Sequence, residues 1–476
     1  MGGPLRVGGR LVFALAIFVL LATAILTRPS KPLTQFDQPL YFTVASDILH
    51  HGVFGNGWFG DSERTGARPA PGMFFGPLYP WMIVAVAKAD PRFASAVDCG
   101  ADMYRGKRPY SSCEIYLWPM LVVHALLLTA GALAIAQAAK LLLGNEPSFY
   151  VAGVLVAGAL AAEADQFSFV MTEATTFSLY SLAMLAMVLG WTTSKRRYFV
   201  LSGLGFGMLC LARFSFLVAV LVVPLLIAIN SRFIVRPPRG WGAASMLAFT
   251  MAFLVLVLPW AVRNKISVGK FGLTEEYGSL ALVERFAYDQ MTAREFALAF
   301  PYCLPVIGPD IVSHAFGPQA MARFNYENDG SFYDIGGGHR ARLVAEYKRI
   351  DPIIGSLIAE EMKENWWRYI LVSVPLAWCG MWVGGWLGFA LVPLFAGACF
   401  AAWRLSRPRL LLYAAPAVVM LGLHAALASF YTRYNFALIG PFSVAAAWVI
   451  ASAMSRFGRY DSILELGLGS SRGNQK

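Results

Sequence analysis

Long apolar stretches alternate along this chain with short basic stretches and with two longer, more polar segments. A helix needs about 20 mostly apolar residues to cross the hydrocarbon core of a bilayer. The stretches of suitable character cover residues 11–26, 116–143, 149–164, 167–191, 198–230, 243–262, 384–403, 410–431 and 436–454. The stretch 198–230 is long enough for two short helices that turn near Arg213. Since the more ambiguous apolar pieces can add further crossings, the pattern predicts a bundle of about 10–13 transmembrane helices.

The composition agrees with a membrane protein. Of the 476 residues, 57% are hydrophobic and 14% are charged, whereas about 25% of a soluble domain is charged. This balance excludes a soluble enzyme, a disordered chain and a small disulfide scaffold. The apolar stretches are continuous, which disfavours an outer-membrane β-barrel of short alternating strands. We therefore predict an all-α polytopic membrane protein.

The formal net charge of +11 is explained by topology. Basic residues gather in the short stretches between apolar ones, namely Arg6, Arg10, Lys195, Arg196, Arg197, Arg232, Arg236, Arg239, Arg404, Arg407, Arg409, Arg456 and Arg459. Such clusters are expected on the cytoplasmic side of a membrane. Both termini are then cytoplasmic, and the charge predicts no nucleic-acid partner, although part of it can serve anionic ligands.

Two large segments are predicted on the outer face. They cover residues 28–115 and 263–383 and divide the chain into an N-terminal module (1–262), an outer segment (263–383) and a C-terminal module (384–476). Each segment contains an apolar piece, 78–87 and 365–382, that we interpret as an interfacial helix, the second alternatively as a span.

The cysteines differ in their surroundings. Cys99 and Cys113 flank a polar stretch and can form a disulfide if that segment is extracytoplasmic. Cys210, Cys379 and Cys399 lie in apolar stretches and are predicted to be small core residues.

Asp37 is the first candidate for chemistry. It lies about nine residues beyond the first apolar stretch and is followed by the apolar, aromatic sequence Leu40-Tyr41-Phe42. Partial desolvation there raises the pKa of a carboxyl group and suits it to general-base work. The alternative is a solvated or purely structural carboxylate, which is the more common case.

Further charged residues lie near the outer ends of the predicted helices. Asp165 and Glu173 are acids within apolar surroundings and are expected to pair with Arg213 or Arg433, either for function or as a buried structural ion pair. Arg263 belongs to the sequence Pro259-Trp260-Ala261-Val262-Arg263-Asn264-Lys265. Fixed cations at this level can hold the phosphate of a lipid carrier, or they can simply anchor the helix ends at the interface.

Several short motifs, taken in order, carry a resemblance over the whole chain. They are Asp37 with Tyr41, the element Gly76-Pro77-Leu78-Tyr79-Pro80, Thr172-Glu173, Pro259-Trp260 with Arg263-Asn264, and Arg433-Tyr434. The chain resembles the GT-C glycosyltransferases, in particular bacterial members similar to dolichyl-phosphate-mannose protein mannosyltransferases and lipid A aminoarabinose transferases. The resemblance implies a GT-C-like helical bundle in the bacterial inner membrane.

The resemblance also implies an activity. The donor is a polyprenyl-phosphate-linked sugar, the acceptor is a hydroxyl of a lipid, glycan or protein, and transfer takes place with inversion on the periplasmic face. Asp37 is the implied catalytic residue. The residues that we expect to bind substrate are Tyr41, Tyr79, Glu173, Arg213, Arg263, Asn264, Arg433 and Tyr434.

We expect no cofactor. Members of this group often carry a second acid directly after the first-loop aspartate, but here Gln38 follows Asp37. A divalent metal is therefore not favoured, because such an ion requires several oxygen ligands. The sequence Gly336-Gly337-Gly338 fits neither a P-loop nor a dinucleotide-binding pattern.

Two other classes of function remain open. A transporter or lipid flippase needs functional charges near the middle of the membrane, often on broken helices. A non-catalytic assembly protein is the third interpretation. The concentration of acids in the two outer segments favours chemistry on a lipid headgroup at one face.

Overall fold

The computed structural model describes residues 4–29, 31–57, 68–107, 109, 112–235, 240–428 and 430–469. For residues 4–7, 235 and 455–469 it describes the backbone alone. Arg236 and Arg239 of the predicted basic clusters lie outside this range, as do the side chains of Arg6, Arg456 and Arg459.

Helices account for nearly all regular structure in the described residues. In chain order they are α1 (Pro4–Leu26), α2 (Gln38–His51), α3 (Leu78–Ala89), α4 (Pro91–Tyr104), α5 (Trp118–Leu143), α6 (Pro147–Ala162), α7 (Ala164–Phe167), α8 (Glu173–Thr193), α9 (Arg196–Ala212), α10 (Ala219–Ile229), α11 (Trp241–Val268), α12 (Tyr277–Phe286), α13 (Ala293–Tyr302), α14 (Gly308–Phe316), α15 (Phe332–Tyr347), α16 (Ile354–Met381), α17 (Gly388–Arg404), α18 (Pro408–Leu427) and α19 (Ile439–Gly469). Tighter 3-10 turns occupy Phe214–Val218, Ala287–Gln290 and Thr432–Leu438.

Eight helices of the described chain are long and apolar enough to cross a membrane. They are α1, α5, α8, the continuous stretch Phe214–Ile234, α11, α17 with its preceding turn, α18, and Thr432–Met454. Two further predicted spans correspond to the shorter helices α6 and α9, which have 16 and 17 residues. The prediction of an all-α polytopic membrane protein is confirmed.

The predicted alternation of helix directions agrees with the contacts at the helix ends. Glu146, at the start of α6, forms ion pairs with Arg10 of α1 and with Lys140 near the end of α5. Trp241, at the start of α11, donates to the carbonyl of Ser194 after α8 over 3.0 Å. The ends of α5 and α6 therefore meet Arg10 of α1, and the end of α8 meets the start of α11, as their basic neighbours predict.

The first outer segment folds into α2, α3 and α4 over an apolar core that it shares with α5, α12 and α15. Phe42, Tyr79 and Phe93 are buried in that core. Cys99 and Cys113 form a disulfide, with their Cα atoms 5.8 Å apart. The apolar piece 78–87 becomes α3, which lies against α2 and α4 and is too short to cross a bilayer.

The second outer segment contains α12 to α16. The helix α16 has an exposed apolar and aromatic face that includes Trp366, Trp367 and Ile370, which is typical of a helix at the membrane interface. Cys379 is buried, as predicted for a small core residue, but the sequence predicts no disulfide there. Cys379 forms a disulfide with Cys303, because α13 packs against α16 and brings their Cα atoms to 5.0 Å.

The buried residue Arg285 attaches this segment to the membrane helices. Its guanidinium donates to the carbonyls of Ala425 on α18 and Tyr369 on α16, and pairs with Asp289 at 2.9 Å. A single side chain thus connects α12 with two other helices.

Candidate active site

A cavity of about 470 Å³ lies where the two outer segments meet the ends of the membrane helices. Its wall comes from the loop before α2, from α12, from α15 and from the turn before α19. Aromatic rings dominate the lining, and the charged members are Asp37, Glu284, Arg340 and Arg433. The other lining residues are Thr34, Phe36, Pro39, Leu40, Phe74, Tyr104, Tyr277, Leu280, Ala281, Tyr326, Tyr333, Ala428, Tyr431 and Tyr434.

Asp37 is the residue directly before α2, and its neighbour Gln38 fixes it in place. The Gln38 side chain donates to the carbonyl of Pro32 over 2.9 Å and accepts from the amide of Val170 over 2.7 Å. It is fully buried. Gln38 thus ties the first loop to the segment before α8 and leaves Asp37 at the cavity wall.

The electrostatic surroundings of Asp37 suit a base. Burial by the wall raises the pKa of its carboxyl group, the positive charges of Arg433, Arg213 and Arg340 oppose that rise, and Glu173 adds to it. The raised pKa means that desolvation outweighs the nearby cations. The carboxylate is consequently more basic than one in water.

Two arginines and a tyrosine form a compact group beside Asp37. The guanidinium of Arg213 lies 4.6 Å from the centre of the Tyr434 ring, and that of Arg433 lies 5.3 Å from it. Arg433 also covers the ring of Phe36, at 4.6 Å. The break between α9 and the following 3-10 turn places Arg213 here, as the sequence predicts.

Glu173 pairs with Arg213, with 3.6 Å between their nearest charged atoms. This confirms one of the predicted pairings. The second carboxylate oxygen of Glu173 and the Nε of Arg433 are both shielded from solvent and have no hydrogen-bond partner within the described residues. A buried polar atom without a hydrogen-bond partner lowers the stability of the fold. These two atoms are therefore available to form hydrogen bonds with a bound ligand.

Tyr41 and Tyr79 lie behind Asp37, away from the lining. Tyr41 stacks on Phe75 at 4.3 Å and meets the edge of Tyr79 at 5.1 Å. The hydroxyl of Tyr79 donates over 3.0 Å to Nε2 of His124, whose Nδ1 donates to the carbonyl of Phe167. Since a carbonyl only accepts, this tautomer is fixed. The two tyrosines thus support the wall of the site.

Arg263 and Asn264 lie apart from the cavity lining. Arg263 donates to the carbonyls of Gly72 over 2.6 Å and Phe54 over 3.2 Å, and it lies 4.8 Å from the ring of Trp260. Asn264 is buried and donates to the carbonyl of Gly272. Arg263 therefore holds the first outer segment to α11, whereas Asn264 ties the end of α11 to the loop that follows it.

Asp165 does not join the arginines, so its predicted pairing is wrong. The short helix α7 turns the chain and leaves Asp165 at the surface, where it pairs with Lys31 at 2.5 Å.

Three other carboxylates, Glu275, Glu276 and Asp351, have oxygens within 4.8 Å of one another and form the group best able to hold a cation in the described chain. Glu275 is already paired with Lys270 and Arg349. The other two accept backbone amides, so each acid has a partner.

Glu284 and Arg340 line the cavity, although the sequence predicts no role for either residue. They form an ion pair across α12 and α15. Burial raises the pKa of Glu284 to about 7, although Arg340 lowers it. A charged residue within the apolar sequence Leu280-Ala281-Leu282-Val283-Glu284 was the available signal.

Comparisons with solved structures show the fold. The archaeal oligosaccharyltransferase AglB from Archaeoglobus fulgidus, in complex with an inhibitory peptide and a dolichol-phosphate, aligns over 100% of this chain and 53% of its own, at 11% identity and a TM-score of 0.52. The apo form of the Archaeoglobus fulgidus oligosaccharyltransferase aligns over 96% of this chain and 52% of its own, at 10% identity and a TM-score of 0.51. The chain spans about half the length of these proteins.

ArnT from Cupriavidus metallidurans aligns over 93% of this chain and 77% of its own, at 16% identity, with a TM-score of 0.38 that is too low to carry an argument. No family model matches the chain, and no curated protein matches its sequence. The likenesses to the oligosaccharyltransferases show that this chain shares their fold over its whole length.

Proposed function

We propose that this protein transfers a sugar from a polyprenyl-phosphate-linked donor to a hydroxyl acceptor on the periplasmic face of the bacterial inner membrane. The observation that carries the proposal is the presence of Asp37 and Arg433 in one aromatic cavity at the outer ends of the membrane helices. The dolichol-phosphate bound to the AglB neighbour supports a lipid-linked donor, and its peptide supports a macromolecular acceptor.

Asp37 is the general base of this reaction. Its raised pKa favours acceptance of the proton from the acceptor hydroxyl. As that proton moves to Asp37, the acceptor oxygen bonds to the anomeric carbon and the bond from that carbon to the phosphate oxygen breaks. Attack from the face opposite the phosphate inverts the configuration of the sugar.

Arg433, which lines the cavity, holds the donor phosphate, and Arg213, which lies outside the lining beside Tyr434, adds positive charge to the site. Negative charge grows on the phosphate as it leaves, and fixed guanidinium groups stabilise that charge most strongly where water is excluded. Both guanidinium groups pack against the ring of Tyr434, which helps to orient them. The reaction needs no cofactor, because a phosphate neutralised in this way is already a good leaving group.

The main alternative is a transporter or lipid flippase without transferase activity. Its functional charges should lie near the middle of the bundle. Here Glu173 is the first residue of α8, Arg213 follows α9, and Arg433 precedes α19. The charged group is therefore gathered at helix ends, where a lipid headgroup and a periplasmic acceptor can meet.

The two functions differ in where the donor accumulates. Cells that lack the transferase should accumulate a lipid-linked sugar in the outer leaflet, accessible to periodate, which does not cross the membrane. Wild-type protein and the exposed-surface control Asp310→Asn should clear it, whereas Asp37→Asn should not. Accumulation in the inner leaflet would instead support a flippase, and clearance by Asp37→Asn would exclude Asp37 as the base.

A further inference from the structure

The cavity has a second charged group that the proposed mechanism does not use. Glu284 and Arg340 pair with each other and are 22% and 26% exposed, and both line the cavity. They belong to α12 and α15 of the second outer segment, whereas Asp37 and Arg433 belong to the first loop and the turn before α19. The two pairs thus reach one cavity from different parts of the chain.

Gly336 is the residue that makes this pairing possible. A Cβ atom at Gly336 would lie 2.8 Å from the carbonyl oxygen of Glu284 and 2.9 Å from its Cα, so α15 approaches α12 more closely than any side chain allows. Arg340 follows one helical turn later on the same face. Gly337 and Gly338 have open space around them. One glycine of this run therefore has a packing role that its neighbours lack.

The surroundings of the pair match the chemistry of a sugar ring. A carboxylate accepts hydrogen bonds from hydroxyl groups, and a guanidinium donates to them. The apolar face of a sugar ring packs on aromatic side chains, and Tyr277, Tyr333 and Tyr431 line the same cavity.

We propose that Glu284 and Arg340, with the tyrosines around them, form a monosaccharide subsite for a neutral, hydroxyl-rich sugar of the lipid-linked donor. The proposal rests on the proposed function, since it assigns the substrate class of the same cavity. The pair already neutralises itself. A charged sugar would have to compete with one partner for the other and so break a partly buried ion pair, which selects against uronates and amino sugars.

Binding of defined lipids to the purified full-length protein tests this subsite. The probes are undecaprenyl phosphate alone and undecaprenyl phosphate carrying glucose, galactose, mannose, glucosamine or glucuronic acid. At least one neutral hexose should tighten binding about tenfold over undecaprenyl phosphate alone, as expected for hydrogen bonds to charged groups. The two charged sugars should give no such gain.

Variants separate the subsite from the phosphate site. Glu284→Gln, Arg340→Gln and Gly336→Ala should each lose most of the gain from the hexose and still bind undecaprenyl phosphate itself. The matched control Gly337→Ala should keep the whole gain. Elution of each variant as a monodisperse peak verifies folding, and the three independent substitutions protect the test if one variant fails to fold.

The outcomes distinguish the two proposals. A hexose gain that survives Glu284→Gln and Arg340→Gln, or a preference for a charged sugar, overturns the subsite and leaves the proposed function intact. Failure of the wild type to bind undecaprenyl phosphate in any form overturns the proposed function itself.

Discussion

At the scale of single residues, the neighbouring residues Asp37 and Gln38 have different roles in the site. Asp37 faces the cavity, while Gln38 is buried and bonds to Pro32 and Val170. The sequence predicts Asp37 as a candidate because an acid precedes an aromatic stretch. It could not predict the role of Gln38, since that role depends on a partner more than 130 positions away.

The raised pKa of Asp37 predicts the direction of a pH effect. A base works only when ionised, so transfer should fall as the pH is lowered through a midpoint above the ordinary aspartate value of about 3.9. Glu284 shares the cavity, and Glu173, Arg213, Arg340 and Arg433 act on Asp37. The measurement is kcat/KM against pH for the wild type and for Glu284→Gln. The variant removes any pH dependence near pH 7 that comes from titration of Glu284. A profile that stays flat down to pH 4 in both proteins would contradict the assignment.

The same shift has a consequence for stability. A carboxyl group whose pKa is raised by folding stabilises the native state below its ordinary pKa, and that contribution is lost as the pH rises through the raised value. Asp37→Asn should therefore keep or increase the Tm at pH 7 to 8. A clear decrease in Tm would mean that the Asp37 carboxylate mainly stabilises the fold through Arg433.

Arg433 provides a test of the phosphate site. Arg433→Gln should weaken the binding of undecaprenyl phosphate about tenfold or more, because a hydrogen bond between charged groups is lost. The exposed control Arg342→Gln should bind as the wild type does. Equal affinities for all three proteins would remove Arg433 from the donor site.

At the scale of elements, close helix contacts place the outer segment over the cavity. The sequence Gly336-Gly337-Gly338 has the composition of a loop, yet it lies inside α15, where Gly336 packs on α12. Glycine is unfavourable within a helix by about 1 kcal/mol. Helix propensity alone therefore predicts a loop at these three glycines, not a helix. The tertiary contact that decides the matter is not visible from local sequence.

Arg285 carries the attachment of α12 to the membrane helices. Replacement by Met would leave the carbonyls of Ala425 and Tyr369 and the carboxylate of Asp289 without their buried partner. We expect a loss of about 3 to 5 kcal/mol in the free energy of unfolding. Thermal unfolding in detergent measures it, with Arg342→Met as the exposed control. A Tm within a degree of the wild type would contradict this role.

At the scale of the whole molecule, the hydrophobic pattern predicts the membrane-spanning helices but few of the contacts between residues that are distant in sequence. The turn at Arg213 is predicted from the sequence, and Glu173 is one of the two acids expected to pair with an arginine there, because an isolated charge in an apolar stretch needs a partner. The meeting of Asp37 with Glu284 does not follow, since nearly 250 positions separate them. The packing of the second outer segment over the first loop produces that arrangement.

The two disulfides test the orientation of the molecule. Cys99–Cys113 and Cys303–Cys379 lie in the two outer segments, and such bonds persist in an oxidising compartment. In intact cells these four cysteines should resist a maleimide reagent until a reductant is added. Removal of the Cys303–Cys379 bond by Ala substitution should cost about 2 to 4 kcal/mol of stability. Full labelling without reductant would place these segments on the cytoplasmic side.

The central claim is that Asp37 takes the acceptor proton while the arginines hold the donor. Its most direct test is a single-turnover assay with the donor lipid identified from cells that lack the protein, with donor binding measured on the same sample. Asp37→Asn should bind the donor as the wild type does and transfer sugar at least about a hundredfold more slowly. Transfer at the wild-type rate by Asp37→Asn would contradict the account.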